Sequence, residues 1–463
     1  MRFPRRHRRT FESLEDRCLL AADVAVEQLG RHLFITGNEL GSDMLIRGTA
    51  EPGQFIISYF RCDPPSAEPP TLITVEGVFG DIFVQLGGGD DRLSIYDAHV
   101  LGNLNIDMGT GADEVSLAGG SAWKLLGFEF DRASFNMPLE VDGDLRFAGG
   151  EGRDVFAQTN TTVHGNQHLD MGAGNDVLVL EAYEGLNAVG ETLSVNLGDG
   201  ADEALFQAFE VGSLIVQDLS GDSQLNFSGT VNGSAVIKTG PGNDQVGTPL
   251  TDFSLGFMLT VGENLAISTG DGNDQINSAV GSVGGSEMIF TGSGDDSVML
   301  LSRSIASAHH QPLHVGGDLS IDLGAGVDDA TITDIELGGT LEVRSAEGGE
   351  KRIRVTNSAW IAEIAIALTG NSSDGVYLGD LSAGQVVIET NDGRDWITLS
   401  HSSVDTLFAA LGNDDDHMAL IDITAANPSL IDGGDGRDWL SFFEIGLSPI
   451  ESRNFEAFGI AEG

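Results

Sequence analysis

Leu104-Asn105-Ile106-Asp107-Met108-Gly109-Thr110-Gly111-Ala112-Asp113-Glu114-Val115-Ser116-Leu117 carries the pattern that decides the fold. Apolar and polar residues alternate on both sides of a Gly-x-Gly-x-Asp turn. Two strands, each with one buried face, are therefore joined at a glycine corner. The turn occurs ten times, ending at Asp91, Asp113, Asp154, Asp176, Asp202, Asp244, Asp274, Asp296, Asp328 and Asp438. Composition alone would give about one copy, so this is a structural repeat. Three residues before the first turn glycine stand Val84, Ile106, Phe147, Leu169, Val195, Ile237, Ile267, Ile289, Ile321 and Ile431. Two residues after the aspartate stand Leu93, Val115, Phe156, Leu178, Ala204, Val246, Ile276, Val298, Ala330 and Leu440. Every one of these positions is apolar.

The spacing specifies the architecture. Asp91 to Asp113, Asp154 to Asp176 and Asp274 to Asp296 are each 22 residues apart. The long interval from Asp328 to Asp438 contains degenerate copies at Asp395 and Asp416, a looser turn at Asp374, and Gly348-Gly349-Glu350 near the remaining expected position. Asp222 fills the gap between Asp202 and Asp244. A second glycine, at Gly80, Gly102, Gly143, Gly165, Gly233, Gly285 and Gly317, marks another corner seven residues before the turn. Two corners in each 22 residues predict an all-β chain wound as a right-handed parallel β-helix or β-roll-like solenoid. An antiparallel sandwich has turn signals every 8–12 residues but does not repeat one sequence at a fixed interval.

Composition narrows the function. The chain has 463 residues and a formal charge of −48. Nucleic acid is excluded as a partner by such a surface, and no apolar run is long enough for a membrane-spanning helix. So negative a chain repels itself unless a counter-ion neutralises it, and a divalent cation is the obvious one. The two cysteines, Cys18 and Cys62, make no disulfide framework.

The turns resemble the hemolysin-type (RTX) calcium-binding repeat, Gly-Gly-x-Gly-x-Asp-x-apolar-x. That resemblance implies Ca²⁺ held between adjacent coils by turn carbonyls and by Asp91, Asp113, Asp154, Asp176, Asp202, Asp244, Asp274, Asp296, Asp328, Asp395, Asp416 and Asp438. The chemistry agrees, because Ca²⁺ takes six to eight oxygens in flexible geometry and glycine turns present carbonyls without side-chain obstruction. Two departures stand against the transfer. The family's repeats run in tandem every nine residues, and its first glycine is present here only at Gly149 and Gly433. The competing reading is an aspartate that shapes its own turn without metal.

Residues 1–22 read as a separate basic segment. Leu14-Glu15-Asp16-Arg17-Cys18-Leu19-Leu20 resembles the LEPR-XLL motif at the N-terminus of large secreted bacterial proteins, with Asp16 where that motif has Pro. This implies export to the cell surface or the medium. Residues 23–80 are expected to form an N-terminal coil or cap with an exposed loop at Cys62–Pro70, residues 81–441 the solenoid, and residues 442–463 a C-terminal cap.

Trp396, His417 and Trp439 follow the turn aspartate on successive coils and form a candidate ligand platform. The alternative is that their rings pack beneath the C-terminal segment, whose Phe442, Phe443, Phe455 and Phe458 look like the covering of an open end. No nucleophile motif, phosphate loop or cofactor fingerprint is present, so the expectation is a non-enzymatic protein. The sequence thus points to a secreted or cell-surface Ca²⁺-binding solenoid of structural or adhesive role, with a polysaccharide or a cell-surface protein as partner. A carbohydrate-active β-helix of the lyase or hydrolase kind and a metal-free scaffold are the alternatives.

Overall fold

The computed structural model describes residues 24–60, 71–118, 138–182, 186–247, 259–278, 280–304, 310–346, 348–443, 446–447, 450–455 and 457–460. The sorting-like segment, the Pro-rich loop and both cysteines lie outside the described residues. All regular structure among the described residues is β. The chain winds as a parallel solenoid of about 15 turns, ~22 residues apart.

Register shows why the repeat is what it is. Ile82–Gln85 pairs in parallel with Leu104–Thr110, placing Val84 opposite Ile106. Across the glycine turn, Arg92–Tyr96 pairs with Glu114–Ala118, placing Leu93 opposite Val115. Like residues stack on like, and the apolar positions on both sides of the turn become continuous interior columns. All twenty residues picked out above by position are at most 4% exposed. Truncating any of the large ones to alanine would cost about 2–5 kcal/mol.

Each coil has three strands where two were expected. After Arg92–Tyr96 comes the short strand His99–Val100, which pairs with Leu139–Val141 on the next coil. The corner between them is a single left-handed residue six positions after the ladder residue of that coil. Asp97, Asn160, Ala208, Asp334, Asn357, Asp380, His401 and Asp422 all have φ between 48° and 61°. Asp and Asn tolerate this conformation best among residues with a side chain, and they fill most of these corners. In the sequence glycine stands at this position only at Gly48, Gly119 and Gly229, so no glycine pattern marks the corner.

The glycine turn has a different requirement. Gly109 and Gly111 have φ of 99° and 143°. A Cβ on either would also lie 1.7 Å or 2.0 Å from the carbonyl oxygens of Gly87 and Gly89 one coil below. Two glycines per turn are therefore fixed both by dihedral angle and by the close stacking of turn on turn.

The N-terminal end differs from the middle. Phe55–Phe60 pairs antiparallel with both Asp43–Gly48 and Thr71–Val75, beside the first parallel coil. At the other end, Ile450–Arg453 and Ala457–Ile460 continue the parallel pairing as a further coil. Phe442 and Phe455 pack against the core there.

Candidate metal centre

The turn aspartates form one buried ladder along a single corner. The amide of Asp91 donates to Oδ1 of Asp113 at 2.7 Å, Asp113 to Asp154 at 2.9 Å, Asp154 to Asp176 at 2.7 Å and Asp176 to Asp202 at 2.7 Å. The same bond joins Asp244 to Asp274, Asp274 to Asp296 and Asp296 to Asp328. It resumes from Asp374 to Asp395, Asp395 to Asp416 and Asp416 to Asp438. All twelve aspartates singled out in the sequence are therefore brought into one column, joined by Asp374. At the N-terminal end the column closes on Ser42, whose amide donates to Asp91.

One carboxylate oxygen is used in this way and the other is not. Oδ2 of Asp91, Asp113, Asp154, Asp176, Asp202 and Asp416 is buried without a hydrogen-bond partner. At Asp244, Asp274, Asp296 and Asp395 a threonine hydroxyl (Thr239, Thr269, Thr291, Thr390) lies close to the carboxylate but makes its well-formed bond to a carbonyl of the next coil. These residues are at most 2% exposed. Burial pushes the carboxyls of Asp91, Asp113, Asp176, Asp202 and Asp416 up to about 7, and that of Asp395 to about 8. The amide bond from the neighbouring coil pulls back, while carboxylates on adjacent coils push further in the same direction as burial. A buried anion whose second oxygen faces no donor is costly unless a cation joins it.

Two rungs depart from the pattern. Between Asp202 and Asp244 the ladder residue is Ser223: its hydroxyl accepts from Asp202, and its amide donates to Asp244. Asp222, expected at this rung, lies one position further out and accepts the amide of Asn243. The lost carboxylate is replaced from within the same turn. Asp218 is 3% exposed beside Ser223, with neither carboxylate oxygen in a hydrogen bond of good geometry. Burial pushes it to about 7.

The second departure is Lys351, which pairs in register with Asp328 and donates its amide to Oδ1 of Asp374. The glycine turn Gly348-Gly349 precedes it and Ile353 follows two residues later. Glu350, the acidic residue expected near this rung, lies one position before it. The apolar position at 353 and the corner residue Asn357, six residues on, would have located the rung.

Two further ladders run on the surface. Beside the buried column, Asp90, Asn175, Asp222, Asn243, Asn273, Asp295 and Asp415 accept amides of the following coil. At the corner marked by the second glycine, Asp81, Asn103, Asp144, Asn166, Asn264 and Asp318 do the same. Asp and Asn both serve in each, and Ser234 and Ser286 take the same place at two rungs of the second.

Among the described residues, no three His, Cys, Asp or Glu side chains converge as a metal-ligating set. An ion on the ladder would therefore depend on turn carbonyls as well as the free Oδ2 atoms. Those carbonyls are numerous, and the donor set is all oxygen, which suits a hard cation such as Ca²⁺.

Trp396, His417 and Trp439 are in register on three successive coils. The Trp396 and His417 rings stack with centroids 4.1 Å apart. Trp396 is 59% exposed and Trp439 42%, so both indoles face outward instead of packing beneath the C-terminal strands.

No protein-family model matches the chain, and neither a curated protein nor a solved structure does.

Proposed function

We propose that the chain is a Ca²⁺-stabilised structural rod of the cell surface or extracellular space, with the metal held along the buried aspartate ladder. The observation that carries this reading is the absence of asparagine from that ladder. In both surface ladders Asn serves as well as Asp, because each needs only an oxygen that accepts an amide. In the buried ladder the same bond is made, yet the residue is Asp in every coil but those of Ser42, Ser223 and Lys351. Asparagine would keep the hydrogen bond and avoid burying a charge. Retaining the charge at such cost fits a role that needs it, and Asp218 keeps a carboxylate at the rung where Ser223 has none. The free Oδ2 atoms and turn carbonyls would hold the ion, which supplies the missing positive charge and ties each coil to the next.

The test is a titration of the chelated protein with Ca²⁺, followed by thermal unfolding, with Mg²⁺ at equal ionic strength as control. A ligand bound only by the folded state raises stability. A gain specific to Ca²⁺ supports the reading, and equal gains from both ions, or none, would leave the aspartates as turn formers.

The exposed Trp396–His417 stack favours a second, compatible reading. Flat aromatic surface with polar neighbours suits stacking on sugar rings. Trp396→Ala and Trp439→Ala variants compared with the parent for retention on immobilised polysaccharides test it.

A further inference from the structure

Lys351 is one of three lysines in the chain and is fully buried inside an acidic column. Its ammonium donates to the carbonyl of Gly326 at 2.5 Å, to Oδ2 of Asp328 at 2.7 Å and to the carbonyl of Gly348 at 2.9 Å. An ammonium has three protons, and all three are placed. The acceptors are two turn carbonyls from successive coils and the second oxygen of a ladder aspartate. These are the oxygen types that the Ca²⁺ reading assigns to the metal. Elsewhere on the ladder that second oxygen has no partner at Asp91, Asp113 or Asp176, while at Asp328 the lysine satisfies it.

We propose that the Lys351 ammonium is the resident cation of its rung. The coil between Asp328 and Asp374 then needs no metal, and the ladder divides into two runs that load Ca²⁺ separately, one ending at Asp328 and the other beginning at Asp374. This inference rests on the Ca²⁺ reading of the ladder. Lysine suits the task because its charge is a compact point on a long stem and reaches the turn interior from the backbone position of the missing aspartate. The rung is a permanently neutralised joint within a metal-dependent rod. Such a joint would keep the C-terminal third of the rod anchored to the rest when the metal is withdrawn.

The experiment is hydrogen exchange of the full chain, read peptide by peptide in chelator and in Ca²⁺, on the parent and on two variants. In the parent, peptides covering residues 348–357 are expected to exchange at the same rate in both conditions. Peptides around Asp154 and Asp416 should be slowed tenfold or more by Ca²⁺. Lys351→Asp restores the ladder. It should bind more Ca²⁺ per chain than the parent by equilibrium dialysis and make residues 348–357 Ca²⁺-dependent. Lys351→Met removes the charge but retains an apolar stem. It should speed exchange of that segment in chelator, and Ca²⁺ should not restore it to the parent's rate.

Two results overturn the inference while leaving the Ca²⁺ reading intact: a parent in which residues 348–357 gain as much from Ca²⁺ as their neighbours, or a Lys351→Met variant that exchanges like the parent. If no peptide of the parent responds to Ca²⁺, the reading of the whole ladder falls and the inference with it. The response at Asp154 and Asp416 separates the two failures.

Discussion

The glycine-turn corner and the corner at Gly102 and Gly143 solve the same backbone problem with side chains of opposite cost. Both use a side-chain oxygen to accept the amide of an adjacent coil. At the second corner the acceptors Asp81, Asn103, Asp144 and Asn166 follow one another through partly exposed sites, where charge is cheap and amide and carboxylate are interchangeable. At the turn corner the acceptors are fully buried, where charge is expensive, and the charged residue is nevertheless retained. Hydrogen bonding alone predicts the reverse: asparagine inside and aspartate outside. The difference indicates that the buried corner is built for something besides its own geometry.

The largest expected effect is in the pH dependence of the metal-free rod. Burial raises the ladder carboxyls from an ordinary value of 3.8, those of Asp244, Asp91 and Asp395 to about 6, 7 and 8. Between these limits the unfolded chain has lost protons that the folded chain keeps. Unfolding therefore releases protons, and stability falls as pH rises. In chelator the melting temperature should be higher at pH 5 than at pH 8. Ca²⁺ should reverse that order, since a metal-bound carboxylate must be ionised. A tenfold change in one group's proton affinity is worth about 1.4 kcal/mol, and the ladder sums over many groups. Melting temperatures that rise from pH 5 to pH 8 in chelator would show that the buried carboxyls are not held protonated.

A single substitution sharpens the contrast further. Asp113→Asn keeps the oxygen that accepts from Asp91 and removes one buried charge. Without metal at pH 8 it should stabilise the rod by about 1–3 kcal/mol, the range set by buried polar mismatches. With saturating Ca²⁺ it should destabilise by a similar amount. Reversal of sign with metal, measured by denaturant midpoints, is the signature; the same sign in both conditions would argue for turn shaping alone.

Much of this was legible in the sequence because a solenoid repeats its constraints. The 22-residue interval, the apolar columns and the twelve aspartates needed only pattern matching, since stacking forces like residues into register. What was missed involved chemistry that changes residue type while keeping place. Lys351 stands in an acidic column, Ser223 shares its rung with Asp218, and the left-handed corner at Asp97 or Asn357 contains no glycine. A search keyed to aspartate or glycine passes over each of these. The exposure of Trp396 and Trp439 was equally hidden, because alternation shows that a ring faces outward but not whether another segment covers it.

Glu287 provides a control for the cost of buried charge away from the ladder. It stands in the interior column between Leu265 and Leu319, fully buried, with neither carboxylate oxygen hydrogen-bonded. Burial alone pushes it up to about 7. Glu287→Leu should stabilise the rod at pH 8 by about 1–3 kcal/mol. At pH 4, where both states carry the proton, the gain should shrink. Unlike Asp113→Asn, its effect should not change sign with Ca²⁺, because no turn carbonyl or ladder amide belongs to it. A neutral result at pH 8 would mean that this interior tolerates unpaired carboxylates, and the aspartate ladder would then need no cation to explain it.

The smallest effect should be at the second corner. Asp144 accepts the amide of Asn166 at 3.0 Å and is bridged to Arg146 at 2.7 Å, and its side chain is 27% exposed. Asp144→Asn leaves the amide bond possible and loses only a surface ion pair, worth about 0–1 kcal/mol. Denaturant midpoints in chelator and in Ca²⁺ should shift by the same small amount. A Ca²⁺-dependent loss at Asp144 as large as that at Asp113 would dissolve the distinction between the corners and extend metal dependence to the outside of the rod. If Asp144→Asn is neutral and Asp113→Asn reverses sign, the same substitution in the same fold has separated a residue that shapes the chain from one that holds an ion.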